Sequence, residues 1–142
     1  MSESDLSGLD FLLQFVDGKP APFGALLGFT LTAAEFGKVV FEGTPDARHY
    51  NPAGVVHGGY AAGLLDSAMG CAVQSTLAPG ISYTTMEIKI NLVRAMTEDT
   101  GLVRGTGRSI YTGRRSATAE GRLEDSSGKL IAHGTTTCMI LS

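Results

Sequence analysis

From Gly58 to Leu77 the chain carries a single charged residue, Asp66, in the run Gly-Gly-Tyr-Ala-Ala-Gly-Leu-Leu-Asp-Ser-Ala-Met-Gly-Cys-Ala-Val-Gln-Ser-Thr-Leu. A segment this apolar all round suits a helix enclosed on most sides. Four β-like runs follow it: Tyr83 to Arg94, Thr100 to Tyr111, Arg114 to Glu124 and Leu130 to Leu141. Thr97-Glu98-Asp99, Thr112-Gly113 and Asp125-Ser126-Ser127-Gly128 separate them with the turn chemistry of antiparallel neighbours. Upstream, Leu26 to Ala33 and Lys38 to Gly43 read as two strands around a hairpin at Glu35-Phe36-Gly37. One helix cannot cover both faces of such a sheet, so the sheet has to curve around it. The expectation is an α+β fold in which a curved antiparallel β-sheet wraps a central α-helix. Leu9, Leu12, Leu13 and Val16 have helical spacing and predict a short N-terminal helix over Gly8 to Asp17, outside the main core. In the first strand after the helix, Met86, Ile88, Ile90 and Leu92 alternate with polar residues and are expected to share one side, with Glu87 and Lys89 solvated opposite.

At 142 residues the chain reads as one domain, 1–142, able to bury a core without disulfides or metals. Cys71 and Cys138 form no CxxC pair and lie near no zinc-like spacing of ligands, so both read as reduced, packed thiols. His49, His57 and His133 give no pattern that supports a metal, and no cofactor is expected. A net charge of −3 with no basic cluster argues against nucleic acid as a partner. The Gly58–Leu77 run has bilayer length, but Asp66, Gln74, Ser67 and Ser75 interrupt it, which argues against a membrane span. The start, Met-Ser-Glu-Ser-Asp, lacks the basic and apolar parts of a secretory signal and points to the cytoplasm.

A carboxylate inside so apolar an element costs several kcal/mol unless paired or protonated, so Asp66 is a candidate for function. Just upstream, Asn51-Pro52-Ala53-Gly54-Val55-Val56-His57-Gly58-Gly59 is a turn-rich stretch whose last glycines expose N–H groups at a helix start. Gly58 and Asp66 are eight residues apart, about 12 Å along a straight helix. A base has to come within roughly 3 Å of its proton or act through one water. Asp66 therefore cannot easily serve a carbonyl held by Gly58 of its own chain, whereas two antiparallel helices across a two-fold axis would bring the two together. The expectation is an obligate homodimer with composite sites. An N–H-lined hole plus one carboxylate suits hydrolysis of an activated acyl group, a thioester above all. Plainer roles stand beside these. Asp66 alone could be a structural N-cap or a partly exposed residue on one helix stripe, His57 an anchor for the Gly58 turn, Asn51-Pro52 a turn initiator, and the glycines a means of tight packing.

The pattern Asn51-Pro52-x-Gly54-x-x-His57-Gly58-Gly59-x-x-x-x-Leu64-x-Asp66, with the later strand from Tyr83 to Arg94, resembles the hotdog-fold acyl-CoA thioesterases of the phenylacetate-pathway (PaaI-like) group. The resemblance implies that Gly58 supplies the polarising N–H, that Asn51 orients the thioester or water, and that Asp66 is general base or nucleophile. It also implies a Ser or Thr near the start of the next strand that holds the water; Thr84 and Thr85 both fall there, and Thr84 is favoured. Where some relatives carry a helix-borne Thr one turn after the acid, this chain has Gly70. His57 and Gly59 join the substrate-binding set. Coenzyme A phosphates need cations, for which Arg94, Arg108, Arg114 and Arg115 are candidates. The implied substrate is an aryl- or medium-chain acyl-CoA, aryl favoured, and the implied assembly a dimer of dimers. A non-catalytic acyl-CoA-binding protein is the main alternative. An enoyl-CoA hydratase, which needs an Asp–His pair such as Asp46 and His49, is the weaker one.

Overall fold

A computed structural model of the protein describes residues 5–142; Met1 to Ser4, on which the reading of a missing leader partly rests, lie outside the described residues. The elements are α1 (Gly8–Leu13), α2 (Pro22–Leu27), β1 (Phe29–Glu35), β2 (Lys38–Gly43), a short 3-10 turn (Ala47–His49), α3 (Gly58–Gln74), β3 (Ser82–Leu92), β4 (Val103–Thr112), β5 (Ser116–Asp125) and β6 (Leu130–Leu141). The six strands form one antiparallel sheet in the order β1-β2-β4-β5-β6-β3, curved around α3.

The N-terminal part differs in detail from the sequence reading. Helix α1 stops at Leu13, capped at its start by the Ser7 hydroxyl, which accepts from the Asp10 N–H at 3.1 Å. The expected strand from Leu26 begins only at Phe29. Pro22 opens a helical turn and Gly28, at φ +84°, closes it in the left-handed conformation that favours glycine, so Leu26 and Leu27 belong to α2. The hairpin stands where it was expected, with Glu35 opposite Lys38. Its Gly37 N–H donates to the Ser75 hydroxyl at 2.8 Å, and that hydroxyl donates to the Ala72 carbonyl at 2.7 Å. This ties the hairpin to the C-terminal end of α3, which closes at Gln74 rather than Leu77.

Helix α3 is enclosed as its composition requires. Ala61, Leu64, Leu65, Ala68, Met69, Ala72 and Val73 have no exposed surface. Two glycines of β4 let the sheet approach this closely: a Cβ at Gly107 would land on the Ala68 carbonyl, and one at Gly105 on the Leu64 side chain. Gly107→Val is accordingly expected to destabilise the fold by about 1–3 kcal/mol through overpacking against backbone that cannot move aside. A lowered urea midpoint at unchanged slope would show it.

Strand β3 forms the edge opposite β1 and contains a bulge between Thr85 and Glu87. Before the bulge Thr85 stands opposite buried Cys138; after it Ile88 and Ile90 stand opposite Thr136 and Gly134, the β6 residues that face the helix. Opposed residues share a face, so Thr85, Ile88, Ile90 and Leu92 point inward, and Met86 leaves the set expected from alternation because it is the extra residue of the bulge. Among the described residues no strand covers the outer edge of β3, although Met86 is 53 % and Leu92 59 % exposed. No helix among the described residues is long and apolar enough to cross a membrane.

Candidate active site

One stripe of α3, containing Ala62, Gly63, Asp66, Ser67 and Cys71, is only partly covered. Asp66 sits on it, half-buried, where β3 passes. The Thr85 hydroxyl donates to Asp66 Oδ1 at 3.0 Å, leaving Oδ2 without a partner among the described residues. Of the two threonines, Thr84 is exposed and opposite Met139, and Thr85 is the one that meets the carboxylate. Both open into a cavity of about 350 Å³ that is also bordered by Ser67, Cys71, Tyr83 and five phenylalanine rings.

The Tyr83 hydroxyl accounts for Gly70. A Cβ at position 70 would come within 2.5 Å of that oxygen, so a larger side chain one turn after Asp66 would displace the ring. Burial, with smaller contributions from Cys71, Cys138 and Asp66, pushes the Tyr83 phenol far above its ordinary range. Burial first, then the Asp66 carboxylate, pushes the Cys71 thiol up to about 12. Both groups stay protonated at neutral pH, so Cys71 is no nucleophile there. The two cysteines are free thiols, one half-buried and one buried.

The loop before α3 is built for rigidity. Asp46 accepts from the Arg48 N–H at 2.9 Å and pairs with the Arg48 guanidinium at 2.8 Å, while the Asp46 N–H donates to His49 Nδ1 at 3.0 Å. The side-chain bond from Arg48, then its backbone N–H, holds the Asp46 carboxyl down at about 2. Asp46 and His49 are therefore occupied as a turn cap. Further along, Asn51 Oδ1 accepts from the N–H groups of Ala53 at 2.9 Å and Val55 at 3.4 Å, which leaves the Nδ2 amide as a donor. His57 caps α3: its Nδ1 accepts from the Gly59 N–H at 2.8 Å. That bond occupies the Gly59 N–H, and the two residues shape the helix start. The Gly58 N–H has no acceptor among the described residues.

Gly58 and Asn51 border a second cavity, of about 250 Å³, together with Leu92, Val93, Arg94 and Met96. Arg94 is thus the one candidate cation beside Gly58, with Asp125 at 3.4 Å. Within one subunit Arg114 and Arg115 border a different cavity near Thr76 and Thr112, and Arg108 lies in the sheet opposite Lys38 and Glu120. Within one subunit the N–H donors and the carboxylate open into separate cavities, as the spacing on α3 implies. Among the described residues no group of three or more His, Cys, Asp or Glu could hold a metal ion.

Ser67, Tyr83 and the aromatic wall escaped the sequence reading. One signal could have found the wall: all six phenylalanines fall between Phe11 and Phe41, and five of them border this cavity.

Several solved structures are similar to this chain. A conserved protein of Pseudomonas aeruginosa is 32 % identical, with 85 % of this chain and 94 % of that one covered and a TM-score of 0.79. A phenylacetic acid degradation-related protein from Ralstonia eutropha is 28 % identical over 94 % of this chain and 99 % of that one, TM-score 0.79. The Escherichia coli PaaI protein, at 19 % identity, shows the same hotdog fold, with 86 % of each chain covered and a TM-score of 0.78. No curated protein matches the chain. The family model of the thioesterase superfamily matches residues 53–132, from the turn after Asn51 through the first residues of β6, and so takes in Gly58, Asp66 and Thr85: the chain belongs to the thioesterase superfamily.

Proposed function

We propose that this protein hydrolyses acyl-CoA thioesters in two composite sites of a homodimer, Gly58 and Asn51 of one subunit facing Asp66 and Thr85 of the other. The observation that carries the reading is the Thr85–Asp66 hydrogen bond, placed on an apolar cavity while the unpaired Gly58 N–H opens elsewhere. The exposed, apolar, uncovered edge of β3 favours the dimer, since an open edge of this kind is a template for pairing with a second copy.

In such a site the thioester carbonyl oxygen accepts from the Gly58 N–H and Asn51 Nδ2, donors aimed at the charge that develops on it. Asp66 takes the proton of a water held by Thr85 as that water adds to the carbonyl carbon, or itself adds to the carbon; both routes need the same free carboxylate oxygen. When water adds, collapse of the tetrahedral species breaks the C–S bond and releases the acid, and the departing thiolate takes up the proton that Asp66 removed; when Asp66 adds, collapse expels the CoA thiolate and leaves an acyl–Asp66 anhydride, which water then hydrolyses to the acid and the free carboxylate. Arg94 faces the CoA phosphates. Rings around the Asp66 cavity favour an aryl-acyl or medium-chain group, and the name of the Ralstonia eutropha relative supports the aryl preference.

Release of thiol from a panel of aryl- and fatty acyl-CoA esters tests this. The wild type is expected to turn over at least one, and Thr85→Val to lower kcat about tenfold with little change in KM, because it removes one hydrogen bond to the reacting carboxylate. No turnover of any ester would favour a non-catalytic acyl-CoA-binding role. A hydratase is disfavoured on geometry, since the Asp46–His49 pair it would draw on is occupied in the loop.

A further inference from the structure

The chain between Gly8 and Phe29 arches over the Asp66 cavity and is pinned at three points. The Gly8 N–H donates to the Leu77 carbonyl at 2.8 Å, the Asp17 N–H donates to the Leu31 carbonyl at 3.0 Å, and Gly24 lies so close to the Phe29 carbonyl that a Cβ there would approach it to 2.6 Å. Between the pins, Phe11, Phe15, Ala21 and Phe23 face the cavity. Phe11 and Phe15 pack at 5.2 Å between ring centroids, and Phe23 meets Phe29 edge-on at 5.9 Å. Phe23 also lies over Gly63 of α3, where a Cβ would come within 3.0 Å of its ring. A segment held this way is a fixed wall.

Asp66, Ser67 and Thr85 border the same cavity as the rings of the arch, so an acyl group whose carbonyl lies at Asp66 extends among those rings. About 350 Å³ accommodates roughly a dozen water-sized groups at about 30 Å³ each. A phenylacetyl or octanoyl group, about nine non-hydrogen atoms, fits with room to spare; a dodecanoyl group, about thirteen, fills the space out to the rings.

Building on the hydrolase reading above, we infer that the α1–α2 arch is the length gauge for the acyl group, with Phe15 and Phe23 as specificity-determining residues. Shortening either ring opens the end of the cavity; enlarging Ala21, an exposed residue between them, shortens it. The test compares kcat/KM for hexanoyl-CoA and dodecanoyl-CoA in the wild type, Phe15→Ala, Phe23→Ala and Ala21→Phe, with Phe36→Ala as control. Phe36 is 71 % exposed in the β1–β2 turn and does not border the cavity.

The dodecanoyl-to-hexanoyl ratio is expected to rise about tenfold in Phe15→Ala and Phe23→Ala, to fall about tenfold in Ala21→Phe, and to stay at the wild-type value in Phe36→Ala. Should Phe15→Ala fail to fold, Phe23→Ala and Ala21→Phe change exposed positions and still decide the matter. Ratios within about twofold of wild type in every arch variant, with both esters hydrolysed, would overturn the gauge and leave the hydrolase reading standing. A wild type that hydrolyses no ester would overturn both together.

Discussion

Asp66→Asn is expected to lower kcat for thioester hydrolysis by about 10²–10⁴-fold, the usual loss when a positioned base is removed. Binding of a non-hydrolysable thioether analogue should change little. The substitution keeps size and shape, and the Thr85 hydroxyl that donates to Asp66 Oδ1 at 3.0 Å can donate equally to an amide oxygen. Folding is therefore preserved and the missing function is the carboxylate itself. Steady-state thiol release together with calorimetric titration of the analogue separates the two quantities. Turnover within about threefold of wild type would remove Asp66 from the chemistry.

Gly58→Pro is the corresponding change on the other half of the site, and the two together test whether each site draws on two subunits. Proline removes the N–H proposed to hold the oxyanion. Its ring suits the first turn of a helix, and His57 before it already has φ −59° and ψ 137°, the extended conformation a pre-proline residue prefers. The added ring atoms meet the end of the Leu92 side chain, which can swing aside. Loss of one such donor is expected to lower kcat by about 10²–10³-fold. When the two inactive variants are unfolded and refolded together in equal amounts, half of the dimers are mixed, and each mixed dimer has one intact site. Recovery of about a quarter of wild-type activity is expected from this pairing, read as thiol release before and after co-refolding. No recovery, with mixed dimers verified by native mass spectrometry, would place both halves of a working site in one chain.

Much of the architecture was legible because it follows from composition. A nearly uncharged helix followed by four alternating runs leaves few ways to bury apolar surface, and a sheet curved around α3 is the one that satisfies it. The distance between Gly58 and Asp66 was legible too, because helical rise is fixed. What was not legible turns on local backbone geometry. Leu26 and Leu27 look like strand residues until Pro22 and Gly28 are seen to bracket one helical turn. Counting back by twos from Leu92 puts Thr84 on the inner face, and only the bulge at Met86 reverses that. His57 and Gly59 sit inside a motif-like run, yet their hydrogen bond to each other builds the helix start. Arg114 and Arg115 form the most conspicuous basic pair in the chain, yet within one subunit they border a different cavity from Gly58, and Arg94 borders the one that Gly58 does.

The bulge in β3 also bears on how such a site is inherited. Which hydroxyl faces the carboxylate is recorded in a strand's residue count as well as in the identity of the residue, so the loss or gain of a single codon between Thr85 and Glu87 would exchange one neighbour for the other without altering either. Kinship traced by matching letters column by column, with no gap allowed there, would pair residues that point to opposite sides of the sheet.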